Sequence, residues 1–205
     1  EAKRRGDINV LILDTAGRYT ISSQGAEDRE EWTKFLLMLK KARPRAPING
    51  LLLAISMDDM LRKSEDERVE MAKALRARID ELIVKLEILF PIYVIFTKCD
   101  LIAGFGEFFG DYNRDWREQV WGYTRKYEAT KTPLHQEFAS ECARLKSVLD
   151  QRRLRQLATE VRPVNRRGTY LFPLEFEAAN QRLVPFVETL FAPNPYQQNP
   201  VVRGF

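Results

Sequence analysis

Two short polar motifs in the sequence have the residue types and spacing to bind a nucleotide. Asp14 follows the apolar residues 8–13, and Gly17 comes three positions later. A carboxylate at the end of a buried strand can orient a hydrated Mg²⁺, and a nearby glycine can bring its backbone N–H close to a terminal phosphate. Asp-x-x-Gly is also a common strand-and-turn sequence, so this motif alone leaves both interpretations open.

The second motif is Thr-Lys-Cys-Asp at positions 97–100, directly after the apolar residues 91–96. A carboxylate at this place can accept two hydrogen bonds from the N1 and N2 edge of guanine, while the lysine stem lies along the base and ribose. Adenine cannot make that pair. Two such motifs in this order favour a nucleotide-binding site over two unrelated turns. The candidate nucleotide-binding residues are Asp14, Gly17, Thr97, Lys98 and Asp100.

The segments that would position these motifs alternate between strands and helices. Short runs rich in Val, Ile and Leu indicate buried strands, and apolar residues every three or four positions indicate amphipathic helices. This alternation is the pattern of parallel βαβ units, so Asp14 and Asp100 are expected at the same edge of a sheet. The predicted strands are residues 8–13, 51–55, 91–96 and 169–174. The predicted helices are residues 27–41, 64–86, 136–160 and 178–191, the second with a Ser-x-x-Glu capping box.

The two motifs resemble the third and fourth motifs of the P-loop GTPase superfamily. More narrowly, the chain is similar to the cytoplasmic domain of the IcmF/TssM family, whose members are inner-membrane core components of bacterial type VI secretion systems. The resemblance implies an α/β fold of the P-loop NTPase (GTPase-like) class, an open and mainly parallel sheet with helices on both faces. The residues that carry it are 14–19, 47–50, 96–101, 104–109 and 120–123.

The resemblance implies one GTPase-like NTP-binding domain over residues 1–192, with a helical insert at about residues 104–165. Residues 193–205 contain three prolines and are expected to form a connector to a following domain. Aromatic residues of the insert are expected to pack it onto the core. The basic residues between positions 152 and 167 are expected to be a solvated helix face, or a surface for an acidic partner or anionic lipid.

One part of a phosphate site is absent from the sequence. No Gly-x-x-x-x-Gly-Lys-Ser/Thr loop occurs in it, although a phosphate cradle uses the backbone N–H groups and the ammonium of such a loop. In the resembling fold this loop and a central strand precede residue 8, so we expect a longer natural chain to supply them. The fifth superfamily motif, Ser-Ala-Lys after the last strand, is replaced by Glu-Phe-Glu-Ala at positions 175–178, which weakens the preference for guanine.

Composition disfavours several other classes of protein. At 205 residues and 44% hydrophobic content, the chain is suited to one domain. No apolar run reaches the roughly 18 to 20 residues of a membrane span, and two cysteines are too few for a disulfide framework. The net charge of +4 is mild and does not imply a nucleic-acid partner. No Gly-x-Gly-x-x-Gly follows a predicted strand, which disfavours a nicotinamide-binding domain.

Two functions follow from the resemblance. The first is a domain that binds GTP or ATP with Mg²⁺, Asp14 contacting the ion through water, to regulate or energise assembly and secretion. Arg18 stands where many GTPases place a water-orienting glutamine, and an arginine cannot accept a proton, so any hydrolysis is expected to be slow. The alternative is a nucleotide-independent scaffold that docks other secretion components through its aromatic and basic insert.

The resemblance also implies partners and a location. The whole protein is expected in the bacterial inner membrane, anchored by segments outside this chain, with this domain in the cytoplasm. Its expected partners are other inner-membrane and baseplate components of the type VI secretion system, together with further copies of itself in the membrane complex.

Overall fold

The computed structural model describes residues 11–15, 26–119, 121–126, 132–159, 163–195 and 198–205. This part of the chain is an α/β protein with a small parallel sheet and packed helices. The strands are β1 (Leu51–Ser56), β2 (Pro91–Thr97) and β3 (Val201–Gly204). The helices are α1 (Ala26–Ala42), α2 (Met57–Arg62), α3 (Glu65–Leu86), α4 (Phe105–Phe109), α5 (Arg114–Arg117), α6 (Leu134–Thr159) and α7 (Pro163–Leu190). None of the described helices has the length and apolar content to cross a membrane.

The three strands are parallel and lie in the order β1-β2-β3. β1 pairs with β2 in unbroken register, from Leu51 opposite Ile92 to Ser56 opposite Thr97. β3 pairs with the other side of β2, with a register shift between Ile92 and Tyr93. The predicted parallel arrangement of β1 and β2 is confirmed, so both strands end at the same edge of the sheet.

One face of the sheet carries the hydrophobic core. Ile55 of β1 and Ile92 of β2 are fully buried there, in one cluster with apolar residues of α3 and α7. On the opposite face, Leu52 is 55% exposed and Ile95 is 42% exposed. This alternation is the period of two expected in a strand, and it leaves the second face partly open.

Three of the predicted helices are confirmed. α1 and α6 begin and end within two residues of their predicted limits. α3 begins at the predicted capping box, where Glu67 N–H donates to Ser64 Oγ at 3.3 Å and Ser64 N–H donates to Glu67 Oε2 at 2.7 Å. These reciprocal bonds satisfy N–H groups that have no partner within the first helical turn.

The strand predicted at residues 169–174 is wrong, because this segment lies inside α7. Its Thr, Tyr and Phe content is typical of a strand, and Pro173 and Pro185 are unfavourable inside a helix. Buried residues nevertheless recur every three or four positions from Phe172 to Leu190. Packing of this stripe against α3 and α6 outweighs the local preference of the segment. The helix predicted directly after it is the carboxyl-terminal part of α7.

The last strand of the sheet is β3. Residues 193–205, predicted as a connector, end in this strand and so contribute to the sheet. Residues 121–126 of the insert run antiparallel beside β3. Tyr123 N–H donates to the Phe205 carbonyl at 2.7 Å, and Phe205 N–H donates to the Tyr123 carbonyl at 3.1 Å. The insert is therefore joined to the sheet through its backbone.

The first predicted strand is not formed by the residues that the structure describes. Residues 11–13 lie outside any strand, and Leu11 and Ile12 are 84% and 69% exposed. Residues 1–10 and 16–25 are outside the described part of the chain. A strand needs a neighbour to pair its backbone groups, and none of the described strands pairs with residues 11–13.

Candidate nucleotide-binding edge

The carboxyl end of β2 leads into a short 3₁₀ turn, Cys99–Leu101. Lys98 adopts a left-handed conformation with φ 57° and ψ 35°, which is uncommon for a residue with a Cβ atom. Leu101 N–H donates to the Lys98 carbonyl at 3.1 Å, and Ile102 directly after the turn is buried. Strained backbone of this kind persists only where the surrounding contacts enforce it. The turn therefore holds the motif in a fixed orientation.

Two of the four motif side chains make contacts within the fold. Thr97 Oγ1 donates to the Ile55 carbonyl of β1 at 3.4 Å, and Cys99 Sγ donates to the Phe96 carbonyl at 3.2 Å. Burial raises the pKa of the Cys99 thiol, and the nearby negative charge of Asp100 adds to the rise in pKa. Thr97, predicted to bind nucleotide, joins β1 to β2 in this structure.

The other two motif side chains face solvent. Lys98 and Asp100 are exposed, and neither side chain makes a hydrogen bond or ion pair with another described residue. A free carboxylate can accept two hydrogen bonds from the edge of a base, and an extended lysine stem can cover an aromatic face. The geometry thus leaves both groups available to a ligand.

One further polar group at this edge is not predicted from the sequence. Ser56 ends β1 opposite Thr97, and its Oγ atom is buried without a hydrogen-bond partner among the described residues. It also makes no side-chain capping bond to α2. Because buried hydroxyls normally have a partner, Ser56 is an additional candidate for ligand contact. Its signal in the sequence is a serine directly after the predicted strand at residues 51–55.

Comparison with known proteins identifies the family. Residues 25–205 match the family described as the IcmF-related N-terminal domain. The chain belongs to the IcmF/TssM family, as its motifs predict. It is 44% identical over 199 residues to the type VI secretion system component TssM1 of Pseudomonas aeruginosa. The aligned region covers 95% of this chain and 18% of that protein. The chain thus spans less than a fifth of the relative's length, and no solved structure matches it significantly.

The structure does not test the residues predicted to bind the phosphates and Mg²⁺ in this IcmF-related domain. Asp14 is exposed and outside any strand, and Gly17 and Arg18 lie outside the described residues. Within the described ranges, no group of three or more His, Cys, Asp or Glu side chains could hold a metal ion. The contact of Asp14 with Mg²⁺ and the roles of Gly17 and Arg18 therefore stay predictions.

The predicted place of the fifth motif in the IcmF-related domain is wrong. Residues 175–178 lie in the middle of α7, where Phe176 is buried and Glu175 is exposed. The last strand is β3, and Phe205 follows it. Since the motif should follow the last strand, residues 175–178 carry no information about the choice between guanine and adenine.

Proposed function

We propose that this domain binds a purine nucleotide, GTP or ATP, within a type VI secretion component. The observation that carries the proposal is the position of the Lys98 and Asp100 side chains, exposed at the carboxyl end of a parallel strand and without hydrogen bonds to other described residues. Open parallel sheets hold their ligands at this edge. The secretion role is supported by membership in the IcmF/TssM family and by the TssM1 relative.

Base recognition in this proposal follows from donor and acceptor chemistry. The Asp100 carboxylate would accept hydrogen bonds from N1–H and the N2 amino group of guanine, while the Lys98 stem lies along the base. Adenine has no donor at N1, so it cannot make the paired hydrogen bonds. We therefore expect GTP to bind more tightly than ATP.

The described residues include candidate contacts for the base of a nucleotide, whereas its Mg²⁺-phosphate half has the single exposed carboxylate of Asp14 among them. The outer edge of β1 has no paired strand among the described residues, and Leu52 beside it is 55% exposed. A phosphate-loop strand paired at this edge would complete a GTPase-like sheet of the P-loop NTPase class. A bound Mg²⁺ neutralises phosphate charge, and Asp14 is the proposed contact through water. The slow hydrolysis expected from Arg18 stays a prediction from the sequence.

Nucleotide titration of the full-length protein tests the site. Fluorescent GTP and ATP analogues are added to the parent protein and to the Asp100→Ala variant, and anisotropy reports binding. Loss of two hydrogen bonds to a charged group is expected to weaken GTP binding at least about tenfold. ATP affinity is expected to change much less, because adenine does not use both bonds.

The matched control is Glu175→Ala, which removes an exposed carboxylate from α7. It is expected to leave both affinities at the parent value. Equal GTP binding by Asp100→Ala and the parent would show that the base lies elsewhere. A parent protein that binds neither nucleotide would exclude the proposal altogether.

A second candidate function is a docking module that acts whether or not nucleotide is bound. Two apolar cavities beside α6 and the aromatic insert favour it. The proposed partners are other inner-membrane and baseplate components of the secretion system, and further copies of the protein in the membrane complex. In this proposal the whole protein lies in the bacterial inner membrane with this domain on the cytoplasmic side.

A further inference from the structure

The end of α1 and the loop after it carry basic residues without acidic ones. Residues 32–57 contain five Lys or Arg residues and no Asp or Glu. Lys34 and Lys40 are neutralised by ion pairs with acidic side chains at 2.6 and 2.7 Å. The other three basic side chains are exposed and form no ion pair with any described residue; they are Lys41, Arg43 and Arg45. Three positive charges are therefore uncompensated at this surface.

The loop from residue 43 to residue 50 fixes one of these charges. Arg43 N–H donates to the Leu39 carbonyl at 3.0 Å, which continues the last turn of α1. The Arg43 guanidinium donates to Asn49 Oδ1 at 3.1 Å, and this acceptor is neutral. Pro47 anchors the loop, since its side chain is buried. The charge of Arg43 is thus held in place without being neutralised.

Exposed apolar side chains lie beside the uncompensated charges. Leu37 is 57% exposed and Met38 is 64% exposed. Residues three and four positions apart are neighbours on a helix, so both side chains adjoin Lys41. Leu89 is also exposed, and it follows the end of α3, which the ion pair of Lys40 joins to the end of α1. We call this surface the amino-edge patch, which consists of Leu37, Met38, Lys41, Arg43, Arg45 and Leu89.

The amino-edge patch lies at the edge of the sheet opposite the candidate nucleotide site. Residues 43–50 lead into the first residue of β1, and residues 87–90 lead into the first residue of β2. Lys98 and Asp100 follow the other end of β2, which is about 20 Å away along the strand. A surface that covers the patch therefore leaves the nucleotide edge free.

The chemistry of the patch fits an anionic bilayer. Uncompensated Lys and Arg side chains are attracted to negatively charged lipid headgroups, and exposed apolar side chains beside them can enter the boundary between headgroups and acyl chains. Neither of the two cavities beside α6 is lined by a residue of the patch. A protein partner usually places anchor side chains in pockets, whereas a fluid bilayer adapts to a surface without them. These features favour a lipid surface over an acidic protein.

We propose that the amino-edge patch contacts anionic lipid headgroups at the surface of a bilayer. Lys41, Arg43 and Arg45 face the headgroups, and Leu37 and Met38 enter the interface. The inference rests on the proposed inner-membrane location of the whole protein and is independent of nucleotide binding.

Fluorescence quenching tests this contact on the full-length protein in lipid nanodiscs. The discs contain phosphatidylcholine alone or an equal mixture with phosphatidylglycerol, each with or without a nitroxide on the acyl chain. An environment-sensitive fluorophore is attached to Met38→Cys, and parent protein treated with the same reagent gives the background. In the anionic discs, nitroxide lipid is expected to lower the emission at least about twofold, and this effect should weaken at high salt. Little quenching is expected in phosphatidylcholine alone.

The matched control carries the fluorophore on Leu154→Cys. Leu154 is 68% exposed on α6, among basic residues outside the patch. The control thus tests whether any basic surface contacts lipid, and its emission is expected not to be quenched in either disc.

Charge variants of the Met38→Cys protein locate the contact. Lys41→Glu removes an attracted charge and adds a repelled one, so it is expected to abolish at least about half of the quenching. Arg155→Glu changes the net charge equally on α6 and is expected to leave the quenching unchanged. The GTP affinity of Lys41→Glu is expected to equal that of the parent, because the two edges of the sheet are separate.

Several results would overturn the proposal. They are absence of quenching at position 38 in anionic discs, equal quenching in the two lipid compositions, equal quenching at positions 38 and 154, or no effect of Lys41→Glu. A blue-shifted emission that nitroxide lipid does not quench would place protein against the patch instead. Full-length protein that does not associate with the discs would overturn the proposed location as well, whereas associated protein without quenching would overturn this inference alone.

Discussion

At the scale of single residues, two glycines allow α4 to lie directly on α7. Gly104 has a φ of +83°, and a Cβ atom there would lie 2.3 Å from the Gly168 carbonyl oxygen. The close approach brings the rings of Phe105 and Phe108 to 5.6 and 4.9 Å from Phe172, measured between centroids. Both the left-handed conformation and the backbone contact require glycine at position 104.

Substitution of this glycine tests the contact. Gly104→Ala is expected to lower the free energy of unfolding by about 2–4 kcal/mol, because it combines an unfavourable φ with a backbone clash. Urea unfolding measures the change. Gly106→Ala is the control, since a Cβ there meets no atom within 4 Å, and it is expected to change stability by less than about 1 kcal/mol. Equal losses in the two variants would contradict the assigned contact.

The partly buried thiol of Cys142 gives a pH-dependent prediction. Burial raises its pKa to about 12, against about 8.5 for an unfolded cysteine. The folded state holds this proton more tightly, so the contribution to stability is complete below the unfolded pKa and is lost as pH rises through the folded pKa. Between pH about 8 and about 10.5, the parent is expected to lose about 2–3 kcal/mol more than Cys142→Ala. Urea unfolding at both pH values measures this difference, and a difference that does not change with pH would exclude the effect.

At the scale of elements, the sequence predicts those helices and strands whose pattern is local. α1, α3 and α6 have clear apolar periods, α3 also has a capping box, and β1 and β2 are continuous apolar runs. α7 is missed because its strand-like residues and internal prolines become helical only through packing against α3 and α6. β3 is missed because four residues after a Pro-rich stretch become a strand only by pairing with β2.

The same distinction applies to the candidate site. The position of Lys98 and Asp100 directly after a strand is predicted from the sequence, because a short polar motif follows an apolar run there, and their role in binding stays a prediction. The unpartnered hydroxyl of Ser56 depends on burial at that edge, which no local pattern shows. The apolar cavities beside α6 combine side chains from distant segments, such as Trp121 and Val148, so their shape follows only from tertiary packing.

A buried arginine of α3 connects this helix to the end of α7. The Arg76 guanidinium is bound to Asp80 at 2.9 Å and donates to the Ala192 carbonyl at 2.7 Å. Arg76 is 9% exposed. Since a cation at a helix carboxyl terminus satisfies free carbonyl groups and opposes their partial negative charge, this residue holds α7 against α3.

Arg76→Ala is expected to destabilise the domain by about 2–4 kcal/mol, because it leaves Asp80 and the Ala192 carbonyl without their partner. Thermal unfolding measures the loss. The control Arg78→Ala removes an ion pair with Glu81 on the same helix and is expected to cost no more than about 1 kcal/mol. An equal loss of stability in Arg78→Ala and Arg76→Ala would show that the hydrogen bond from Arg76 to the Ala192 carbonyl contributes little to the stability of the domain.

At the scale of the whole molecule, the described sheet has an outer edge at β1 and a partly open face. Leu52 and Ile95 expose apolar side chains on that face. Folded proteins normally pair exposed strand edges and cover exposed apolar faces. The proposed phosphate-loop strand would therefore add at the outer edge of β1. One of the two apolar cavities beside α6 opens on this same face, since Leu52 and Ile95 line it.

The backbone pairing between residues 121–126 and β3 protects the second edge of the sheet. Three hydrogen bonds, between Tyr123 and Phe205 in both directions and from Arg125 N–H to the Arg203 carbonyl, join these segments. β2 pairs with the other side of β3. A strand of another molecule could add beside β3 only after these three bonds break, so this edge is guarded against edge-to-edge association.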